Sequence, residues 1–213
     1  FNSTITAMGY SPIEHQHRYV LTYYGSFYHS SDDGNNWQIS PAFDGPDAHY
    51  FYGSTIWASP NTEGLVIIGG SGYSNPPIYI SYDHGESFFA FDNGLPHTLV
   101  FDIAGTPDDK YFFAATEIGP YIYIVENEEW TDLASISAPD QTYWSVEYIP
   151  ELNTARFGTY GRGIWDFIID NNSSITGDVN QDGTLNIQDL IILVNFALNT
   201  EIPNNEQFII GDI

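Results

Sequence analysis

The chain of 213 residues has no cysteine, so no disulfide can staple it. That absence leaves the compartment open, because secreted chains can also do without cysteine. Basic residues are nearly missing: four Lys and Arg stand against twenty-eight Asp and Glu, a net charge of -24. Such a surface repels phosphate backbones and excludes nucleic acid as an expected partner. It attracts cations and suits salty or calcium-rich surroundings. No apolar run reaches the ~18 residues of a membrane span; the longest candidate, LIILVNFAL, is too short. No signal peptide is visible, and the chain begins with Phe1 rather than methionine. It is therefore expected to start inside a longer precursor or after a cleavage.

What is present points to strands. Apolar residues make up 42% of the chain, enough for a core, and they include sixteen Tyr, fourteen Phe and five Trp. Aromatic side chains favour strands. Nineteen glycines and twelve prolines supply turns. The expected class is mainly β with one late exception.

Residues 1–170 contain a repeat. YYGSFYHSSDDGNNW (Tyr23–Trp37) and NPPIYISYDHGESFF (Asn75–Phe89) share Ser-x-Asp-x-Gly followed by an aromatic: Ser30, Asp32, Gly34, Trp37 and Ser81, Asp83, Gly85, Phe88. The two serines are 51 positions apart. A period of roughly 40–50 residues built from short strands marks a propeller blade. A third copy, EIGPYIYIVENEEWTDL (Glu117–Leu133), keeps Trp130 but not the Ser-Asp-Gly core. A fourth unit ends in FGTYGRGIWDFII (Phe157–Ile169) and lacks an obvious outer strand. Each unit reads as strand, turn, strand, turn, strand. The spacing predicts four blades, at 1–46, 47–96, 97–139 and 140–170, forming part of a larger propeller that continues upstream.

The Ser-x-Asp-x-Gly-x-x-aromatic signature resembles the Asp-box, or BNR repeat, of sialidases, sortilin-type propellers and xyloglucanase-type glycoside hydrolases. The residues assign it a local role. The Asp accepts backbone N–H groups in an Asx-type turn, Gly34 and Gly85 supply positive φ, and Trp37 and Phe88 pack between sheets.

The resemblance implies two catalytic options. A sialidase needs three arginines on a substrate carboxylate and a Tyr–Glu pair; Arg18, Arg156 and Arg162 are the whole arginine set, and a clamp from these is not expected. An inverting hydrolase needs two carboxyls about 6.5–9.5 Å apart. Asp44, Asp47, Asp92, Asp102, Glu117 and Glu147 lie near strands or loops, and nothing singles out a pair. Catalytic residues therefore stay unassigned. DAHYFYGSTIW (Asp47–Trp57) is the richest aromatic stretch and reads as inter-blade core or as a sugar-stacking surface. His15 and His17, beside Glu14, read as a polar turn, because no third metal ligand is in view.

After Trp165 the composition changes. DNNSSITG (Asp170–Gly177) is small and polar, and 171–176 reads as a linker. Then GDVNQDGTLNIQDL places oxygen ligands at the spacing of an EF-hand loop. Asp178 takes position 1, Asn180 position 3, Asp182 position 5 and the Thr184 carbonyl position 7, with Asn186 at 9 and Asp189 at 12, where Glu is usual. Gly183 occupies the sharp-turn position 6. The expected ligand is Ca2+, and no other cofactor is expected. Ile187, Leu190, Ile191, Val194 and Leu198 follow at helical spacing, broadened by Ile192, Leu193 and Phe196, so the helix needs a partner surface.

This segment resembles the first repeat of a type I dockerin. Gly211-Asp212-Ile213 resembles the opening of the second repeat, so 177–213 reads as a dockerin-like module with its second repeat cut off. The resemblance implies a cohesin-bearing scaffold as partner. Loop positions 10 and 11, where dockerins often place small hydroxylated contacts, are here Ile187 and Gln188, which departs from the pattern. Together the two resemblances imply a secreted or cell-surface, carbohydrate-active propeller protein with polysaccharide as a possible partner. The other expectation is a non-catalytic adhesion or display propeller with a calcium-stabilised tail.

Overall fold

A computed structural model describes residues 1, 3–41, 52–134, 138–169, 177–180, 185–198, 200, 202, 203, 207 and 211. The chain forms two compact units, Phe1–Ile168 and Ile169–Ile213.

The first unit is four antiparallel sheets, each a meander in chain order. The first sheet holds β1 (Ile5–Tyr10), β2 (Arg18–Thr22), β3 (Phe27–Ser30) and β4 (Gln38–Ile39). The second holds β5 (Gly53–Ala58), β6 (Val66–Gly70), β7 (Ile78–Ser81) and β8 (Phe89–Ala90). The third holds β9 (Val100–Gly105), β10 (Tyr111–Thr116), β11 (Pro120–Ile124) and β12 (Glu129–Asp132). The fourth has three strands, β13 (Tyr143–Ile149), β14 (Thr154–Thr159) and β15 (Ile164–Ile168). The first strands of successive sheets lie side by side, β1 with β5, β5 with β9 and β9 with β13.

Burial explains the sequence of the middle strands. Every residue of β6 is buried, and its side chains alternate between two cores. Val66 and Ile68 face Tyr19, Leu21, Phe27 and Phe88 between the first and second sheets. Ile67, with Ile78 and Ile80 of β7, faces Val100, Ile103, Phe112 and Trp130 between the second and third. A strand covered on both faces shows no polar alternation, which is why this segment reads as the continuous run LVIIGG. Trp57 of β5 packs edge-on to Phe112 with centroids 5.3 Å apart, as inter-blade core. Close contact between sheets also demands glycine: a Cβ at Gly85 would lie 2.2 Å from Phe27, and its φ is +86°.

In the second unit, α1 (Ile187–Ala197) starts from a capping box. Asn186 Oδ1 accepts the Gln188 N–H at 2.7 Å, and Asp189 Oδ2 accepts the Asn186 N–H at 2.9 Å. These bonds satisfy donors that a helix start leaves open. Ile187, Leu190, Ile191, Val194 and Leu198, the apolar stripe, are exposed, while Ile192, Leu193 and Phe196 are half-buried. Among the described residues no helix is long and apolar enough to cross a membrane.

Candidate functional site

An antiparallel meander has two ends, and the sequence furnishes them differently. At one end lie the turns from the second to the third strand of each sheet. The residue opening each turn, or one next to it, donates its N–H to the residue ahead of the sheet's first strand. The pairs are Tyr23 to Thr4 at 2.8 Å, Ser71 to Tyr52 at 3.2 Å, Glu117 to Leu99 at 2.9 Å and Tyr160 to Thr142 at 3.1 Å. One bond, repeated in all four sheets, thus fixes this end.

The first strands carry a second repeated feature. Their pairing slips between Ile5 and Ala7 and between Gly53 and Thr55. It slips again opposite Ala115/Thr116 and between Tyr143 and Ser145. Each slip leaves one extra residue: Thr6, Ser54, Phe101 and Trp144. Such bulges re-aim side chains. Here Phe101 and Trp144 meet with ring centroids 4.2 Å apart across the third and fourth sheets, and Tyr160 follows 6.1 Å from Trp144. On the first two sheets Tyr23 packs on Tyr52 at 4.8 Å and on Tyr24 at 5.3 Å. Tyr24, Tyr73, Trp144 and Tyr160 are exposed. A cavity of about 260 Å³ is lined by Tyr52, Ser71, Tyr73 and Ser74. The end therefore gathers large ring faces with polar rims.

Two carboxylates near this end, Asp102 and Glu117, are engaged. Asp102 is a junction between three sheets. Its Oδ1 accepts from Thr55 Oγ1 at 3.2 Å and Ile103 N at 3.0 Å, and its Oδ2 accepts from Val146 N at 3.0 Å. Burial pushes its carboxyl above the usual range, and the three donors oppose that. Glu117 Oε2 accepts from the Tyr73 hydroxyl. That bond, with some burial, raises the Tyr73 phenol and keeps it protonated. Glu147 is exposed on β13, and burial raises the Asp92 carboxyl. Asp44 and Asp47 lie outside the described residues. The three arginines are not gathered. Arg18 pairs with Asp33 at 3.0 Å and Arg156 with Asp166 at 2.7 Å, while Arg162 sits in the turn between β14 and β15.

The opposite end carries the Asp-box hairpins. Asp32 Oδ1 accepts the Asn36 N–H at 2.8 Å, and Asp83 Oδ1 accepts the Ser87 N–H at 2.9 Å. The serines complete the turn: Ser30 Oγ accepts Gly34 N at 3.0 Å, and Ser81 Oγ accepts Gly85 N at 2.8 Å. Gly34 and Gly85 have φ of +85° and +86°, and Asp33 and His84 before them are also positive. Phe88 packs between sheets against Phe27 at 4.9 Å. Trp37 differs from expectation. It stays half-buried, with its ring 5.4 Å from that of Phe1.

The two histidines of the first loop part company. His15 lies 6.3 Å from the Tyr10 ring. His17 turns towards Glu14 and His84. The sequence could not show His84 as a neighbour, since it lies 67 positions further on.

In the C-terminal unit, Asp178 and Asp189 are 2% and 1% exposed, so two acids sit buried in one short segment. Asp189 spans the loop, its Oδ1 accepting from Asn180 N at 3.2 Å and its Oδ2 from Asn186 N. The Asn186 N–H leads the bonds that hold its carboxyl below the usual range. Gly177 has φ of +95°. A Cβ on Gly211 would lie 2.9 Å from Leu193 Cδ2, so that glycine abuts α1. Asp182, Gly183 and Thr184, the linker 171–176, and Asp212 and Ile213 lie outside the described residues.

The sequence matches no family model and no curated protein. Its fold matches solved structures. An ancestral GH74 enzyme superposes with TM-score 0.64 and 17% identity over 80% of this chain and 26% of that one. The GH74 xyloglucanase from Xanthomonas campestris gives 0.61 and 15% over 76% and 28%. A structure of YCF48 bound to D1 peptide gives 0.56 and 13% over 79% and 50%. The four-sheet unit therefore has a β-propeller fold. The chain spans between a quarter and a half of the length of these proteins.

Proposed function

We propose that this chain is part of a secreted, glycan-related propeller protein that contacts polysaccharide through the aromatic end of its blades. We also propose that its tail holds calcium and attaches the protein to a cohesin-type scaffold or a cell surface. The observation that carries the glycan reading is the row Phe101, Trp144, Tyr160, two of whose members stand on strand bulges or next to one another across adjacent sheets. The fold alone does not carry it, because one fold hosts many functions, and one neighbour has a peptide bound.

In the tail, the proposed ligands are Asp178, Asn180, Asp182, the Thr184 carbonyl, Asn186 and Asp189. Six oxygens meet the lower bound of calcium's coordination number. The placement of the acids at positions 1 and 12, both buried in one short segment, supports the reading. The exposed apolar stripe of α1 supports a docking role.

The glycan reading is tested by affinity electrophoresis on xyloglucan and mixed β-glucans. Trp144→Ala should weaken binding about tenfold with an unchanged melting temperature. A wild-type protein that no glucan retards would end the proposal. The calcium reading is tested by calorimetry: Asp178→Ala should abolish the calcium heat, and an unchanged isotherm would rule out the assigned loop. A second reading, adhesion or display without catalysis, is favoured by one observation: Asp102 and Glu117 both have bonding partners within the fold.

A further inference from the structure

Three ligating side chains meet at the Asp-box end, away from the aromatic row. Glu14 and His17 belong to the loop between β1 and β2. Ser11 organises that loop: its Oγ accepts the Glu14 N–H at 3.0 Å, and the His17 N–H donates to the Glu14 carbonyl at 2.8 Å. His84 belongs to the second sheet's Asp-box turn, which holds it at φ +60° and bonds its N–H to the Gly64 carbonyl at 3.0 Å. Two rigid turns from neighbouring sheets thus present one carboxylate and two imidazoles, with a ligating atom of each within 4.8 Å of the others.

The hydrogen bonding inside this cluster is incomplete. Glu14 Oε2 is buried 2.9 Å from His84 Nε2, within hydrogen-bond range, while His17 Nδ1 is buried with no hydrogen-bond partner. Buried polar atoms are normally satisfied. Here the unsatisfied atom belongs to a histidine grouped with a carboxylate and a second imidazole. The imidazoles stack at 3.7 Å with planes 17° apart, an arrangement that two imidazolium cations would resist. His84 has its other nitrogen fixed: Nδ1 lies 2.9 Å from the Tyr19 hydroxyl, which leaves Nε2 as the coordinating atom. Orientation of a ligand histidine through its second nitrogen is usual at metal centres.

We propose that Glu14, His17 and His84 form a divalent metal site of the zinc class, joining the first sheet to the second. Two histidines and one glutamate are a recognised zinc ligand set, with water in the fourth position. The crevice of about 160 Å³ beside them, lined by His17, His84, His29 and Glu86, has room for that water. A tetrahedral ion at about 2.0–2.1 Å from each ligand sets the ligand atoms roughly 3.3 Å apart. Binding therefore requires the Glu14 and His17 side chains to rotate on their turns, which opens the imidazole stack. Calcium does not suit the site, because it takes six to eight oxygens and the cluster offers one carboxylate. The ion gives the buried His17 Nδ1 a partner and ties together two turns from different blades.

The test is zinc titration of the full chain by calorimetry in excess calcium, with melting temperature followed in parallel. Wild type should bind one zinc ion per chain and melt at a higher temperature with zinc. His84→Asn keeps a residue that accepts positive φ and should weaken zinc binding at least about a hundredfold. Glu14→Gln should act likewise. Tyr19→Phe should weaken it about 10–100-fold, as loss of an outer-shell partner does. Far-UV circular dichroism should be the same for all four proteins. The proposal fails if wild type binds no zinc, or if His84→Asn and Glu14→Gln, folded, bind it as wild type does. It also fails if Asp178→Ala removes the zinc site while His84→Asn keeps it. None of these outcomes depends on glycan binding.

Discussion

Asp83 illustrates how a single side chain holds a turn. Burial pushes its carboxyl up, but bonds from the Ser87 hydroxyl and N–H and from Ser81 outweigh that and hold it below 3.8. A depressed folded pKa contributes stability that is present above the unfolded value and lost as pH falls through the folded one. Asp83→Asn removes the titrating group. The variant should therefore be less stable at pH 7, yet lose less of its remaining stability than wild type between about pH 5 and 2. Urea midpoints across that range would decide it; parallel curves would mean that the turn does not depend on the charge. Asp32 is held down in the same way, chiefly by the Asn36 N–H. The Ser-x-Asp-x-Gly pattern made this role legible in sequence, because every partner lies within a few residues. The bonds of Asp102 were not legible, because Thr55 and Val146 reach it from two other sheets.

The middle strands of the blades set stability at the next scale. Ile67 is fully buried and faces the core shared by the second and third sheets. Ile67→Ala should cost about 2–5 kcal/mol, read as a lower urea midpoint at unchanged slope. A loss under about 1 kcal/mol would show that neighbouring sheets close up on the cavity. The bulges belong to the same scale. Strand periodicity finds β9 and β13 but not the extra residue in each, since a bulge is a property of paired strands. Local spacing therefore does not mark Phe101 and Trp144 as site residues. The stripe on α1 was legible, because 3.6-residue spacing is local; that it stays exposed was a fact of the fold.

For the molecule as a whole, charge is the governing quantity. A net charge of -24 destabilises the compact state through self-repulsion, most strongly at low ionic strength. The Debye length falls from about 30 Å at 0.01 M salt to about 8 Å at 0.15 M. Sodium chloride over that interval should raise the melting temperature by several degrees, at roughly 2–4 °C per kcal/mol. A flat response would mean that the acids are already neutralised by bound cations. The amino-acid order by itself determined the mainly-β class, the blade period, the Asp-box turns and the helix after the polar loop. These arise from contacts a few residues apart, or from periodic burial, and leave their mark on neighbouring letters. Only tertiary structure decided which aromatics share one end of the blades, and that His17 finds His84 rather than His15. Residues far apart in the chain become neighbours through sheet packing, and no local pattern records that.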